Sequence, residues 1–227
     1  MHQDVYVILP VFNEAPVIGS VVGAVSEVFP NIICVNDGSS DASAAEIEKT
    51  DAVLINHPFN LGQGAALKTG IDFALRDANA AYFITFDSDG QHQIADAARM
   101  LAIAREGEYD IVLGSRFLGK AENIGSVRAA VLKTAVVFSN LATGVRLTDA
   151  HNGLRVFNRR FAERTEITMP GMAHATELVH WIVKGGFKYT EVPVTILYTK
   201  YSKAKSQSLF NSVNIGFDLL MRKVSKR

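Results

Sequence analysis

Short apolar runs alternate with amphipathic segments through the first half of the chain. Residues 4–11, 31–35, 52–56 and 81–86 are apolar runs bounded by polar or turn-forming residues, which is typical of buried strands. The segments between them, such as 15–29, carry apolar residues at helical spacing. Because strands alternate with helices, the pattern predicts an α/β protein with an open, mainly parallel, doubly wound sheet.

The second half contains fewer and longer segments. The pattern predicts a strand at 110–113, a helix over 121–145, a helix over 174–184 and a strand over 187–197. Pro193 is tolerated best on an outer strand, so the last of these is predicted to lie at the edge of the sheet.

A further amphipathic helix is predicted at the C-terminal end. Its apolar face consists of Phe210, Val213, Phe217, Leu220, Met221 and Val224. From Tyr198 to Arg227, seven basic residues stand against one acidic residue. Core packing or contact within a homodimer is one interpretation of the apolar face, and an amphipathic helix that lies on an anionic membrane is the other.

Composition is that of an ordinary globular protein with room for a core. The chain has 227 residues, 48% of them hydrophobic and 20% charged, and a formal net charge of +0. No global electrostatic field would attract nucleic acid, so no nucleic-acid partner is predicted. Cys34 is the only cysteine and lies in an apolar run, which excludes an internal disulfide and predicts a core position.

The sequence also bears on location. No basic segment with an apolar stretch precedes the first predicted strand, so no signal peptide is predicted. No segment reaches the length of about 18 apolar residues that is typical of a spanning helix. We therefore expect a cytoplasmic protein that is soluble or peripheral at the inner face of the cell membrane.

The strongest chemical feature follows the strand at 81–86. Asp87 and Asp89 stand one residue apart just past the strand, with Gly90 at the turn and Gln91 behind it. The carboxyl end of a strand is where α/β sheets bind ligands. Carboxylate and amide oxygens suit Mg²⁺ or Mn²⁺, which proteins commonly share with substrate phosphates. An acidic solvated turn is the alternative.

Common nucleotide-binding motifs do not account for the glycines. Gly62 and Gly64 are followed by Leu67, where a dinucleotide fingerprint would have glycine, and no P-loop motif is present. The glycines are expected to allow close approach of the backbone to a ligand or close packing of a helix on a strand.

Several short motifs occur in order, most of them at predicted strand ends. They are residues 9–14, 35–41, 60–64, 87–92, 114–116, 149–155 and 191–193. On these motifs the chain, over residues 4–205, resembles the family 2 glycosyltransferases with the GT-A fold. Within that family it is similar to the polyprenyl-phosphate (dolichol-phosphate) mannosyl- and glucosyltransferases. The resemblance implies a Rossmann-like, mainly parallel sheet flanked by helices.

The resemblance implies a site for a nucleotide-diphospho-sugar in the first half. The donor-binding residues it indicates are Pro10, Phe12 and Glu14 at the base and ribose and Asp37 at the base or ribose, together with Asp87 and Ser88. The metal ligands it indicates are Asp87, Asp89 and Gln91. A divalent cation there would neutralise the diphosphate as the glycosidic bond breaks.

Arg116 lies just past a predicted strand, where an arginine can reach a phosphate with two donors, and Arg128 is the second phosphate candidate. The resemblance implies in addition a basic loop that closes over the diphosphate, for which Lys203 and Lys205 are the candidates. The family's usual basic-loop motif is not reproduced, so which lysine closes over the diphosphate stays open. A surface arginine and a solvated charge run are the alternatives.

Asp149 is predicted to be catalytic, together with Asp89 and Arg116. It would orient the acceptor or the sugar, or act as a general base if the acceptor is a hydroxyl group. A lipid phosphate is already anionic and needs no base. A role as a loop or cap residue is the alternative.

These observations predict one continuous GT-A domain in two halves. Residues 1–116 would bind the sugar nucleotide and the metal, and residues 117–227 would bind the acceptor and carry the basic loop and C-terminal helix. The predicted reaction transfers a hexose to a polyprenyl phosphate or a lipid-linked glycan, with inversion implied by the family. A sugar-1-phosphate nucleotidylyltransferase and a non-catalytic sugar-nucleotide-binding scaffold are the alternatives.

Overall fold

The computed structural model describes residues 2–122, 124, 126–169, 171, 173–199 and 201–202. Within the helix Ser126–Thr143, the side chains at positions 126–128, 131, 138 and 142 are not described. The predicted C-terminal amphipathic helix and its apolar face therefore lie outside the described residues.

The described residues form a seven-stranded mixed sheet. The strands are β1 (Val5–Val11), β2 (Asn31–Asn36), β3 (Val53–Asn56), β4 (Tyr82–Thr85), β5 (Ile111–Glu122), β6 (Arg155–Asn158) and β7 (Tyr189–Leu197). Their order across the sheet is β3-β2-β1-β4-β6-β5-β7. All neighbouring pairs are parallel except those that β6 makes with β4 and β5. The prediction of a mainly parallel α/β sheet is confirmed.

Helices cover both faces of the sheet. They are α1 (Ile18–Ser26), α2 (Ser43–Ile47), α3 (Gln63–Ala74), α4 (Ile94–Glu106), α5 (Ser126–Thr143), α6 (Arg159–Arg164) and α7 (His174–Lys184). One core cluster joins the sheet to α1, α2 and α4, and the other joins it to α3, α5, α6 and α7. Within β1, Val7 belongs to the first cluster and Ile8 to the second, because successive strand side chains point to opposite faces.

Two predicted elements need correction. The strand predicted at 110–113 is too short, because β5 pairs with β7 again beyond an irregularity between Ser115 and Lys120. As a result the helix predicted over 121–145 begins only at Ser126. Strand β6 was missed, because its four residues directly follow a polar loop motif and are too few to show a period.

The core contains Cys34, as predicted. It is fully buried on β2, and burial raises the pKa of its thiol to about 12. None of the helices within the described ranges combines the length and apolar character that crossing a bilayer requires.

The sheet order determines where a ligand can bind. Strands β2, β1 and β4 are parallel neighbours, so their carboxyl ends meet at one edge. The chain connects β1 to β2 on one side and places β4 on the other, which makes the gap between β1 and β4 the topological switch point. Open α/β sheets bind ligands at this point.

Candidate functional site

The end of β1 supplies the first group of candidate residues. Phe12, just past the end of β1, is 40% exposed, whereas Glu14 is buried. Asn13 between them has a positive φ of 54°. The Tyr201 hydroxyl donates a hydrogen bond to Glu14 Oε2 at 2.7 Å. Tyr201 follows β7, so the segment after the edge strand reaches across to the end of β1.

Pro10 and Ser88 are engaged with each other. The Ser88 hydroxyl donates to the Pro10 carbonyl at 2.8 Å, and Ser88 is 5% exposed. This bond fixes the start of the acidic loop against β1. The structure thus gives Ser88 a partner inside the protein, and its predicted contact with the donor stays a prediction.

The Asp37 carboxylate at the end of β2 orders the glycine-rich turn. Its oxygens accept the backbone N–H of Leu61 at 2.9 Å and of Gly62 at 2.8 Å. The His57 Nδ1 lies 2.8 Å from Asp37 Oδ1, and its Nε2 lies 2.9 Å from Thr69 Oγ1. Because both carboxylate oxygens have internal partners, Asp37 shapes the wall of the cleft. Its predicted contact with the base or ribose stays a prediction.

The backbone of this turn requires glycine at two places. Gly62 has a φ of 95°, which L side chains rarely adopt. A Cβ on Gly38, whose φ is 67°, would lie 2.4 Å from the carbonyl carbon of Phe59. The expectation that the glycines allow close approach of the backbone to a ligand or close packing of a helix on a strand stays a prediction.

Asp87 is held by donors from two elements. Its Oδ2 lies 2.9 Å from His92 Nε2, and Gln63 Nε2 donates to its Oδ1 at 3.1 Å. A Cβ on Gly153 would lie 2.3 Å from Oδ2, so a larger residue there would displace the Asp87 carboxylate. Desolvation would raise the pKa of Asp87, but the interaction with His92 and the positive charge of Arg155 outweigh it and lower the pKa.

The pKa of Asp89 is shifted in the opposite direction to that of Asp87. Desolvation and the negative charge of Asp87 raise its pKa to about 6. The backbone N–H of Gln91 donates to Asp89 Oδ1 at 3.1 Å, and the Gln91 amide donates to Oδ2. In the described part of the chain no group of three or more His, Cys, Asp or Glu residues has a metal-binding arrangement. The donor set of two carboxylates and one amide fits a hard cation that completes its shell with water and phosphate.

Arg116 and Asp149 form a buried ion pair. Arg116 Nε donates to Asp149 Oδ2 at 2.6 Å, and the Arg116 backbone N–H donates to the same oxygen at 3.0 Å. Arg116 Nη1 donates to the Tyr198 hydroxyl at 2.9 Å. Burial would lower the pKa of Arg116, but the Asp149 charge outweighs it and raises the pKa. The two predicted catalytic residues are thus brought together, with Asp149 1% and Arg116 8% exposed.

Glu191 of β7 holds the loop that carries Asp149. Its carboxylate accepts the backbone N–H groups of Thr148, at 2.8 Å to the nearer oxygen, and of Asp149 at 3.0 Å. The Thr148 hydroxyl donates to it at 3.0 Å. These hydrogen bonds from the loop to Glu191 set the position of Asp149 relative to β7.

A buried polar cluster lies behind Asp149. Among the described residues, the buried atoms without a hydrogen-bond partner include Asp149 Oδ1, His151 Nδ1, Asn152 Nδ2, and Nε and Nη1 of Arg155. Burial lowers the pKa of Arg155 to about 10, against the pull of Asp87 and Asp149. The buried Arg155 therefore supplies a positive charge that interacts with both the Asp87 and the Asp149 carboxylates.

The remaining predicted residues lie elsewhere or outside the described part. Arg128 lies on α5, but its side chain is not described, and Lys203 and Lys205 lie outside the described residues. Glu177 on α7 accepts the backbone N–H groups of Thr168 at 2.9 Å and of Met169 at 3.0 Å.

Sequence reasoning gave no role to several residues that the structure brings into the site. They are His57, Gln63, Gly153, Arg155, Tyr198 and Tyr201. Gln63, Gly153 and Arg155 lie within the motifs described above, which was the available signal. His57 and the tyrosines carried none, because their partners are distant in sequence.

Comparison with known families finds a match over most of the chain. Residues 6–165 match the family described as glycosyl transferase family 2. The match covers the end of β1, the acidic loop, Arg116 and Asp149.

Two characterised relatives align with most of the chain. UDP-N-acetylglucosamine–dolichyl-phosphate N-acetylglucosaminyltransferase of Methanococcus voltae is 28% identical, over 98% of this chain and 97% of its own. Polyprenol monophosphomannose synthase of Mycolicibacterium smegmatis is 30% identical, over 85% of this chain and 77% of its own.

A solved structure with the same fold is glucosyl-3-phosphoglycerate synthase from Mycobacterium tuberculosis. Its complex with Mn²⁺ and UDP-glucose superposes with a TM-score of 0.68 at 16% identity, covering 88% of this chain and 72% of that one. This likeness concerns the fold, and the predicted GT-A fold is confirmed.

Proposed function

This chain belongs to glycosyl transferase family 2, and we propose that it transfers a hexose from a nucleotide-diphospho-sugar to a polyprenyl phosphate with the help of a divalent cation. Glycosyltransferase activity follows from the family. The donor, the acceptor and the cation are the proposed parts. The relatives named for transfer to dolichyl phosphate and for polyprenol monophosphomannose synthesis support this acceptor class.

The donor would lie along the carboxyl ends of β1, β2 and β4. Phe12 offers an exposed aromatic face at the mouth of the cleft, and Glu14 lies buried behind it. The Asp37 carboxylate keeps the glycine-rich turn in place beside them. This arrangement suits a flat base and a ribose, with the diphosphate directed toward the acidic loop.

Asp87, Asp89 and Gln91 would hold Mg²⁺ or Mn²⁺. Two desolvated carboxylates repel each other, which is expressed in the raised pKa of Asp89, and a cation would relieve that repulsion. When bound, the cation supplies Lewis-acid stabilisation of the departing diphosphate. The related fold with bound Mn²⁺ and UDP-glucose supports this assignment.

The state of Asp149 is the observation that carries the acceptor class. Arg116 donates twice to Asp149 Oδ2, and the carboxylate is 1% exposed. The two donors hold one oxygen of this carboxylate in place, which suits a role in orienting the acceptor. A phosphate acceptor needs no base, because its oxygen is already anionic. Its attack on the anomeric carbon forms the new C–O bond as the bond to the diphosphate breaks, with inversion.

Asp149 and Arg116 would then orient the acceptor. Glu191 and Tyr198 fix the two residues on the acceptor side of the cleft. Arg128, Lys203 and Lys205 stay the candidates for further contacts with phosphate, and the basic C-terminal segment is the candidate for contact with an anionic membrane surface.

A thermal-shift panel followed by a product assay tests this function. UDP-, GDP- and dTDP-sugars are each added with Mn²⁺ or with EDTA, since a ligand that binds the native state raises the unfolding midpoint. We expect a metal-dependent shift with one nucleotide class. That donor should then label a short-chain polyprenyl phosphate. Labelling of a hydroxyl-terminated glycan and not of the phosphate would contradict the proposed acceptor.

A further inference from the structure

Asp87 is the predicted metal ligand whose two carboxylate oxygens are held by side chains from two separate elements, Gln63 of α3 and His92 of the acidic loop. We propose that His92 and Gln63 are positioning residues that hold the Asp87 carboxylate ready for the cation. The proposal deepens the proposed function and depends on its metal site. It also gives the glycine-rich turn a function, which is to place Gln63 against Asp87 of the acidic loop.

Both the ring and the backbone of His92 are held by neighbouring residues. It is 7% exposed, and its ring packs edge-on against Phe86 with centroids 5.3 Å apart. Its backbone forms an isolated antiparallel bridge with Ile196, and Leu197 N–H donates to the carbonyl of Gln91 at 3.0 Å. The ring is therefore anchored both to the acidic loop and to the end of β7.

The contact between His92 and Asp87 defines the tautomer. An ionised carboxylate only accepts hydrogen bonds, so Nε2 must carry the hydrogen at its 2.9 Å contact with Asp87 Oδ2. His92 Nδ1 is buried without a partner among the described residues, so this side chain directs its only observed hydrogen bond at Asp87. Such a donor restricts one oxygen of Asp87 to a single position.

Gln63 restricts the other oxygen from the opposite wall. It is the first residue of α3, directly after Gly62, and the backbone before it is held by Asp37. From there its amide donates to Asp87 Oδ1 at 3.1 Å. The short turn thus connects Asp37 at the end of β2 to Asp87 at the end of β4.

Gly153 closes the space behind Asp87 Oδ2. Its carbonyl accepts the Thr85 hydroxyl at 2.6 Å, and no Cβ would fit against Oδ2. With both oxygens hydrogen-bonded and the loop packed behind them, the carboxylate is ordered before a cation arrives. Outer partners of this kind orient metal ligands, and their loss typically lowers metal affinity about 10- to 100-fold.

The experiment measures Mn²⁺ binding by calorimetry, without donor, for the wild type and four variants. His92→Phe keeps an aromatic ring beside Phe86 but removes the donor, whereas His92→Gln places an amide N–H near the position of Nε2. Gln63→Leu removes the second donor. His180→Phe, on the exposed face of α7, is the matched control.

We expect Mn²⁺ binding to be about 10- to 100-fold weaker in His92→Phe. Gln63→Leu should lose less in the same direction, and His92→Gln and His180→Phe should bind like the wild type. In turnover assays, the Mn²⁺ concentration for half-maximal rate should rise in His92→Phe while the rate at saturating Mn²⁺ changes far less. A purely structural role would lower the unfolding midpoint without this split.

Wild-type affinity in folded His92→Phe and Gln63→Leu would overturn the positioning role while the metal site stands. If His92→Phe does not fold, Gln63→Leu decides alone, and unchanged affinity there overturns the proposal. A wild type that binds no Mn²⁺ would instead overturn the metal site itself.

Discussion

The acidic loop and the Asp149 loop both contain carboxylates, but their charges are balanced differently. Around the acidic loop the hydrogen-bond donors to Asp87 and Asp89 are an imidazole, amides and a backbone N–H group. Around Asp149 the donors are the guanidinium and the backbone N–H of Arg116, and the side chains form a buried ion pair. Among the described residues, no guanidinium or ammonium group donates to Asp87 or Asp89, whereas Asp149 is paired directly with the guanidinium of Arg116.

We expect this difference to give the two regions different partners. Desolvated carboxylates without a matching cation repel each other, as the raised pKa of Asp89 shows, and such a pair favours an external cation. Asp149 already has a counter-charge in Arg116, which holds it in place. We expect loss of the first region to lower turnover and loss of the second mainly to lower stability.

Asp89→Ala should have the largest effect, on turnover. Loss of the metal site removes several kcal/mol of stabilisation from the leaving diphosphate. We expect a rate lower by about 10³-fold and no metal-dependent donor binding, while the unfolding midpoint in EDTA stays at or above that of the wild type. Asp72→Ala, on the exposed face of α3, is the control. Wild-type turnover in Asp89→Ala would contradict the metal assignment.

Asp149→Asn should mainly reduce stability. It leaves the Arg116 guanidinium buried without its counter-charge, and breaking a buried pair in this way costs about 3 kcal/mol or more. Urea unfolding measures the loss. The double variant with Arg116→Met should recover part of it, because the unpaired charge is then gone. A cost in Asp149→Asn near zero would show that the second region is not balanced by this pair.

His174→Gln should change the dependence of stability on pH. Burial and the positive charge of Arg155 lower the pKa of His174 to about 4, whereas an unfolded chain has about 6.5. The unfolded state therefore binds the proton first as the pH falls, so this contribution is complete above pH 6.5 and is lost between 6.5 and 4. By pH 5 the loss is roughly 2 kcal/mol.

Urea unfolding at several pH values checks this prediction. The wild type should lose stability from pH 7 to 5 more steeply than His174→Gln. Burial also lowers the pKa of His151, so part of the slope should remain in the variant. Equal slopes in both proteins would contradict the role of His174.

Glu191→Gln should have the smallest effect. The amide keeps one acceptor oxygen but loses the charge that strengthens the bonds to Thr148 and Asp149. We expect a loss of about 1 kcal/mol in unfolding free energy and a modest fall in turnover at unchanged Mn²⁺ affinity. A change in Mn²⁺ affinity would show that the two regions are coupled more closely than their charges indicate.

Much of the fold could be predicted from apolar periodicity. The parallel strands β1, β2 and β4 and helix α7 agree with the predicted segments within one or two residues. Strand β6 could not be predicted, because it is antiparallel, four residues long and stabilised by neighbours on both sides that lie far away in sequence. The length of β5 depends likewise on its pairing with β7.

The sequence allowed candidate site residues to be named, but it did not allow their contacts to be predicted. The motifs indicated Asp87, Asp89, Arg116 and Asp149 as candidate site residues. They did not indicate that Arg116 forms a buried ion pair with Asp149. The sequence also could not show that Asp37 holds the glycine-rich turn, because those contacts span 24 and 25 positions. Such pairings depend on the sheet order, which brings distant loops to one edge.

The most direct test of the charge difference compares unfolding free energies in Mn²⁺ and in EDTA, without nucleotide. A cation at 100 times its dissociation constant should stabilise the wild type by about 2.7 kcal/mol. We expect the same gain in Asp149→Asn, although that variant starts from a lower stability, and no gain in Asp89→Asn. An equal gain in Asp89→Asn, or a gain that disappears only in Asp149→Asn, would contradict the account.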